Sequence, residues 1–590
     1  MLGGAFAALG NQWAAPVSGA FNDATKWNPE AVPDTVNGQA WWYNAAQGKY
    51  TVTLPEGTWT NPVAWRVDAN TDGTEITFCG SNTVWAPPTY ATAIYQGEPF
   101  AFYDQYSHFF SFEMYNDTRG APFKFTNPVF HAYNQDGVAG IIFHSGEFNF
   151  HDPSGTAHNY DWTVSHGNDA ATLAGAVHRV EVRNGVTAKV ANINVRSRAA
   201  RTELVVDGGV LTAAANLNIP SGAGGDSRTA VDVTVTDGGI FNIARMTLGY
   251  AGKPRDIHFV VTNNARMVFS ESQDYKFSGV SNGADFDFDV TDGGVVEVGH
   301  ELGLGWSANA PTRVRVLNSS WLVSKETKIG NDIAGVDCVF AATNSLIDSY
   351  RGNDSAQFRV NGEMILKDCV WTNALVNAWP ANTDPKITIE GGAWTSLKKF
   401  HFGGGADAGR LTVNGGQHDL RGEFYLGYNP NANVPTKSVA TIRRADTVID
   451  FNSDEMIALG WNGTADMTIE DGVLRFPGAG GLSLGHAGAS STGSVRMLKG
   501  TLDASVPNLG VCVGRNGFGT FTQEGGAITV RQMFMGQVAV SDADLTCVFT
   551  QKGGTFTALD SIGITLAYAQ GRKTKLVLDG GVMSVPQIIG

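Results

Sequence analysis

Apolar and polar side chains alternate with period two along most of this chain, and paired glycines interrupt the alternation every few dozen residues. The segments VDVTVTDGGIFNIARMTLG (231–249), FDFDVTDGGVVEVGHELGLG (286–305), LTVNGGQHDLRGEFYLG (411–427) and TFTQEGGAITVRQMFMG (520–536) share one form. Each reads as a strand, an acidic or polar residue, a Gly-Gly turn, a second strand, a polar spacer and a third short strand, commonly closing on Leu-Gly or Ile-Gly. Period two puts Ile387, Ile389, Leu411, Val413, Met467 and Ile469 on one face, with Thr388, Thr412 and Thr468 between them. The repeating element is therefore β.

Neighbouring glycine pairs stand 30 residues apart from Gly208 to Gly238, 24 from Gly391 to Gly415, 28 from Gly525 to Gly553 and 27 from Gly553 to Gly580. Three strands of about five residues and three turns need roughly 20–30 residues, the length of one coil of a parallel β-helix. Leucine-rich repeats of similar length need an L-x-x-L-x-L-x-x-N frame that is missing, and helical arrays need a period near 3.6. Structural turns are expected at Gly208, Gly209, Gly238, Gly239, Gly293, Gly294, Gly391, Gly392, Gly415, Gly416, Gly525, Gly526, Gly553, Gly554, Gly580 and Gly581. Glycine adopts positive φ at little cost, and Asp207, Asp237, Asp292, Asn414 and Asp579 just before the pairs supply acceptors for turn amides. Asp471-Gly472 and Lys499-Gly500 keep the flanking pattern with one glycine.

The fold expected is all-β: a right-handed parallel β-helix (β-solenoid) of about 18–22 coils, with an irregular aromatic-rich N-terminal part. A cap segment spans 1–40, the first coils with aromatic and histidine-rich insertions span 41–200, and the regular Gly-Gly repeats span 201–590, ending partway through a coil. That ending is read as truncation of a longer repeat protein or as continuation by partner contacts. Composition agrees: glycine is 72 of 590 residues and only 16% are charged, against usual shares of about 7% and about 25%. A chain of this length would ordinarily divide into several globular domains, but a solenoid extends one core along its axis.

A net charge of −15 disfavours nucleic acid as a partner. The densest basic set, Arg179, Arg183, Arg196, Arg198 and Arg201, fits a solvated ladder along neighbouring coils. No apolar run reaches transmembrane length. Cys79, Cys338, Cys369, Cys512 and Cys547 show neither CxxC nor CxxH spacing and read as small buried side chains. The apolar N-terminus lacks a basic region and is not a complete signal peptide. The low charge and β-repeats nevertheless point to export, and glycosylation triplets begin at Asn116, Asn318, Asn353 and Asn462.

Candidate chemistry gathers before residue 200. Phe100, Phe102, Tyr103, Tyr106, Phe109, Phe110, Phe112 and Tyr115 crowd one stretch, and seven of the 12 histidines lie between His108 and His178. Such aromatics fill and cap first coils, the reading placed ahead, and they also stack on sugar rings, which makes Tyr103, Tyr106 and Tyr115 the candidate glycan contacts. Asp104, Glu113, His144, Glu147, His151, Asp152, His158 and Asp161 would have to converge in a groove to cleave a polysaccharide. No residue is assigned as catalytic. His144, His151 and His158 keep a spacing of seven that has no metal-binding meaning in a β-coil, and HExxH, GxSxG, P-loop and GGxGxDx calcium motifs are absent. No metal or cofactor is implied.

The units TVTDGGIFNIARMTLG, MTIEDGVLRFPGAGGLSLG and TFTQEGGAITVRQMFMG resemble the repeats in β-helical passengers of bacterial autotransporter-type and related large surface proteins, and FNDATKW, VPDTVNG and YTVTL resemble the opening of such exported regions. The resemblance covers residues 201–590 well and the first 200 weakly. It implies a right-handed β-helix displayed at or released from the cell surface, with an adhesive, envelope or display role and glycans or surface proteins as partners. The amphipathic barrel strands of an autotransporter are missing at the C-terminal end. Two expectations follow: a non-enzymatic extracellular rod, adhesin or display scaffold that also binds glycans and associates end to end or laterally, or alternatively a polysaccharide lyase or glycoside hydrolase of the pectate-lyase-like type. A weaker third is a glycan-binding trimer resembling a phage tail spike.

Overall fold

A computed structural model describes residues 11–33, 39–42, 48–59, 64–67, 74–80, 83–85, 94–95, 98–99, 111–112, 125–135, 138–150, 161–164, 177–195, 201–219, 230–248, 256–270, 275–277, 285–305, 311–330, 337–350, 357–378, 384–405, 408–429, 436–478, 480–538 and 546–590. The chain is nearly all β, with parallel strands stacked as a β-solenoid of about 14 turns. This is fewer than the 18–22 expected from dividing the whole length into coils. Parallel pairing already joins 39–42 to 64–67, 49–53 to 74–79 and 57–59 to 83–85, and the antiparallel strand 125–135 stands between these pairs and the parallel ladders that follow Val138. Two compact units result, 1–299 with 309–311, and 300–308 with 312–590.

In the first unit, Trp13, Phe21, Trp27, Trp42 and Phe78 are buried together. Trp13 meets Trp27 edge-on at 5.0 Å, and Trp42 meets Phe78 at 4.9 Å. The Trp27 Nε1–H donates to the Phe21 carbonyl at 2.8 Å, so the indole is buried without an unmet donor. Phe125–Gln135 then pairs antiparallel with both Thr74–Cys79 and Val138–Phe150. Segments 138–143, 177–183, 201–207, 230–236, 256–261 and 285–291 then form one parallel ladder. Arg179, Arg183 and Arg201 pair with Glu181, Glu203 and Asp232 on its outer face, while Arg196 and Arg198 lie outside the described residues.

On that face His258 bridges two coils, 3.7 Å from Asp232 and 3.0 Å from Asp289. Hydrogen bonds to these carboxylates, Asp232 first, push its pKa up to about 9. The folded value lies above the unfolded one, so the imidazolium stabilises fully below about pH 6.5 and its contribution is lost as pH rises through 9. The unfolding midpoints of wild type and His258→Gln should accordingly differ most near pH 6 and converge near pH 10. A gap that widened with pH would contradict the pairing.

In the second unit three parallel ladders run side by side. Val314, Phe340, Met364, Ile387, Leu411, Ala440, Met467, Val495, Phe521 and Phe549 form one inward column, each the register partner of the next, and all are buried. Thr388, Thr412, Thr441 and Thr468 form the outward column beside it. A buried side chain of this size contributes about 1.5–3 kcal/mol, offset by about 1–2 kcal/mol of backbone ordering for every residue fixed. Each coil is therefore held by the neighbours that cover it.

Gln523 and Gln551 break the apolar rule, for both face inward in the column that carries Ile469 and Met497. The Gln523 amide donates to the carbonyls of Gly526, at 3.2 Å, and Thr555, at 3.0 Å in the next coil. Gln551 repeats this with Gly554 and Val582. Cys338, Cys369, Cys512 and Cys547 are buried thiols, and all five cysteines are unbridged.

Candidate functional site

The third ladder of the second unit departs from simple alternation. Between Phe424 and Met535 its short strands bury three successive residues, as in Phe424-Tyr425-Leu426, Ile457-Ala458-Leu459, Leu482-Ser483-Leu484 and Val511-Cys512-Val513. Period two would leave the middle residue in solvent. The covering comes from the residue after the closing glycine. Gly427, Gly460, Gly485, Gly514 and Gly536 have φ between 61° and 78°, and this turns the chain back over the preceding coil. The backbone N–H of Tyr428, Trp461, His486 and Arg515 then donates to Phe402, Leu426, Gly460 and Leu484 carbonyls of that coil.

The side chains complete the layer. Tyr428 stacks on His401 at 4.1 Å, and Trp461 stacks on Tyr425 at 4.2 Å with the planes 9° apart. His401 in turn lies 4.9 Å from Tyr425, and His486 lies 4.7 Å from Trp461. The result is one stack, Tyr428, His401, Tyr425, Trp461 and His486, followed by Arg515, whose Nη1 donates to His486 Nε2 at 3.0 Å. Further along, Cys512 donates to Gln537 at 3.4 Å and Phe534 meets Tyr568 edge-on at 5.1 Å. Ala567 holds the turn before Tyr568 at φ 49°, where other coils have glycine. Ala567→Gly should raise unfolding stability by up to about 1 kcal/mol, because a left-handed alanine costs about 1–2 kcal/mol and the added chain freedom returns part of that. A fall in the denaturant midpoint would rule out strain at this turn.

Electrostatics fix the protonation of the strip. Burial lowers the pKa of His401 and outweighs Glu423. The neutral ring donates Nε2–H to Glu423 at 2.8 Å, and Lys399 binds the other oxygen at 3.0 Å. Burial, reinforced by Arg515, brings His486 down to about 4. Burial also raises the phenols of Tyr425 and Tyr428. Perturbed titratable groups concentrated in one place mark a candidate site. Against a catalytic reading, Glu423 is already held by His401 and Lys399, and a glycosidase needs two carboxyl groups facing across a gap of about 5–10 Å. Against sugar stacking, both faces of Trp461 are covered, by Tyr425 and His486. The arrangement acts as cladding that buries the outer side of a ladder and presents ring edges and polar tips.

Tyr103, Tyr106 and Tyr115 lie outside the described residues, as do Asp104, Glu113, His151, Asp152 and His158. Glu147 is exposed, and His144 lies 3.4 Å from Arg183. Among the described residues no three His, Cys, Asp or Glu side chains are placed to hold a metal ion, and no helix is long and apolar enough to cross a membrane. The cladding strip escaped sequence reasoning, although its signal is present: Tyr, Trp, His, Arg and Gln follow the closing glycine in LGY, LGW, LGH, VGR and MGQ. No protein-family model, no curated protein and no solved structure matches this chain.

Proposed function

We propose that the protein is a non-enzymatic structural element, a β-solenoid scaffold that works outside the cell or at its surface as a rod, adhesin or display platform. The observation that supports this reading most is the inward column from Val314 to Phe549, buried in every coil it crosses. A core repeated without interruption resists local opening in its interior, and mechanical persistence is what a spacer or scaffold requires. Outer-face charges favour the same reading, since Arg475 with Asp450 and Arg496 with Glu524 bind each other across coils. The resemblance of the repeats to autotransporter-type passengers supports placement at the surface, with glycans or other surface proteins as partners.

The test is incubation of the full chain with acidic and neutral polysaccharides, followed by assay for unsaturated or reducing ends, alongside a glycan array. No turnover is expected in any of them. Release of ends above the blank would replace the scaffold with a lyase or hydrolase, and array binding without release would add adhesion to it.

A further inference from the structure

Seven Asn-Gly pairs occur in the chain, and five, at 184–185, 361–362, 414–415, 462–463 and 516–517, are among the described residues. In such a pair the missing Cβ of glycine leaves its backbone nitrogen unhindered for attack on the asparagine amide carbon. Within a fold the reaction further requires that this nitrogen be unengaged and that the chain rotate around it.

Four pairs are held against it. Gly362 N–H donates to the Ile329 carbonyl at 2.9 Å and Asn361 is buried. Gly415 N–H donates to Thr447 Oγ1 at 2.6 Å, and Gly517 N–H donates to the Gly485 carbonyl at 2.8 Å. Asn462 has its amide on the Asn429 carbonyl at 3.3 Å, and Gly463 is buried against backbone oxygens of Gly427 and Thr436.

Asn184 and Gly185 differ on each count. They form the exposed tip between strands 177–183 and 186–195. A Cβ built on Gly185 would meet nothing within 4 Å. Neither the Gly185 nitrogen nor the Asn184 amide has a hydrogen-bond partner among the described residues.

We propose that Asn184 is a site of spontaneous deamidation and isoaspartate formation. The Gly185 nitrogen bonds to Asn184 Cγ and gives up its proton, the Cγ–Nδ2 bond breaks, and ammonia leaves to yield a succinimide. Water then opens the ring at either carbonyl, giving aspartate or isoaspartate. Both products disturb the coil beneath, for Asn184 Cβ lies 2.9 Å from where a Cβ on Gly208 would stand. The new carboxylate adds to an acidic turn in which Asp207 already has its pKa raised by burial, Asp237 and Glu181. Isoaspartate also inserts a methylene into the main chain between two strands whose partners at 201–207 and 210–213 are in register.

The test is ageing of the folded full chain in mildly alkaline buffer, with peptide mapping of the mass gain and of isoaspartate at all five pairs, and the same incubation in urea. Asn184 should convert at least about tenfold faster than the other four in the fold, whereas in urea, where local structure no longer gates the reaction, the five should agree within about threefold. Asn184→Ser should remove its own signal and leave the other four rates unchanged. Conversion of Asn184 in the fold no faster than that of the other pairs, or more than about tenfold slower than in urea, would overturn the proposal.

Discussion

Replacing Trp394 with alanine should cost the second unit at least about 4 kcal/mol, the largest loss expected of any single truncation in its core. The indole is 1% exposed and stacks on Trp371 at 5.1 Å, with Phe400 edge-on at 5.0 Å. Removing a buried aromatic of this size costs about 3–5 kcal/mol through lost transfer energy and the cavity left behind. A second loss adds to it. The Trp394 Nε1–H donates to Asn373 Oδ1 at 2.8 Å, and Asn373 is fully buried, so the truncation leaves an acceptor unmet at about 1–3 kcal/mol. Trp394→Phe separates the terms, for it keeps most of the ring and loses the hydrogen bond. The denaturant midpoint followed by far-ultraviolet circular dichroism should fall furthest for alanine and by less than half as much for phenylalanine. Equal losses would mean that the hydrogen bond, not the packing, holds these coils together.

Trp394 also marks what sequence reasoning reaches. Period two places Ile387, Ile389, Leu411 and Val413 on one face, and all four are buried there, because alternation is a local property of a pleated chain. The cladding strip is not local. Whether Trp461 covers Tyr425 depends on a register between coils some 36 residues apart, and alternation within either strand is silent about it. Gln523 and Gln551 illustrate the same limit. A polar residue beside a Gly-Gly turn reads as a solvated corner, yet both amides point inward because carbonyls of the adjoining coil accept from them. The early aromatic core was hidden for another reason: Trp13, Trp27 and Trp42 are spread across loops and short strands, whereas the dense run from Phe100 to Tyr115 draws attention through composition alone.

Glycine pairs are where sequence and geometry meet most directly, and the second large effect lies there. At Gly391 and Gly392 both residues take positive φ, 73° and 69°, but their surroundings differ. A Cβ on Gly391 would meet the Asp368 carboxylate at 2.3 Å, a side chain able to swing aside, whereas one on Gly392 would meet the Cys369 carbonyl at 2.2 Å and its nitrogen at 2.6 Å. Backbone cannot yield there, since the same carbonyl accepts the Ala393 N–H at 2.8 Å. Gly392→Ala should therefore cost about 3–5 kcal/mol, combining about 1–2 for the left-handed backbone with about 1–3 for overpacking. Gly238 is the internal reference: its φ is 76°, yet a Cβ would meet nothing within 4 Å, so Gly238→Ala should cost only about 1–2 kcal/mol. Unfolding midpoints of the two variants compare a strained turn with a strained and crowded one. If the losses were equal, coil-to-coil contact would add nothing at the turns, and positive φ alone would explain why glycine recurs there. A larger loss at Gly392 assigns the pair a second duty, which is to let one coil's backbone lie directly against the next.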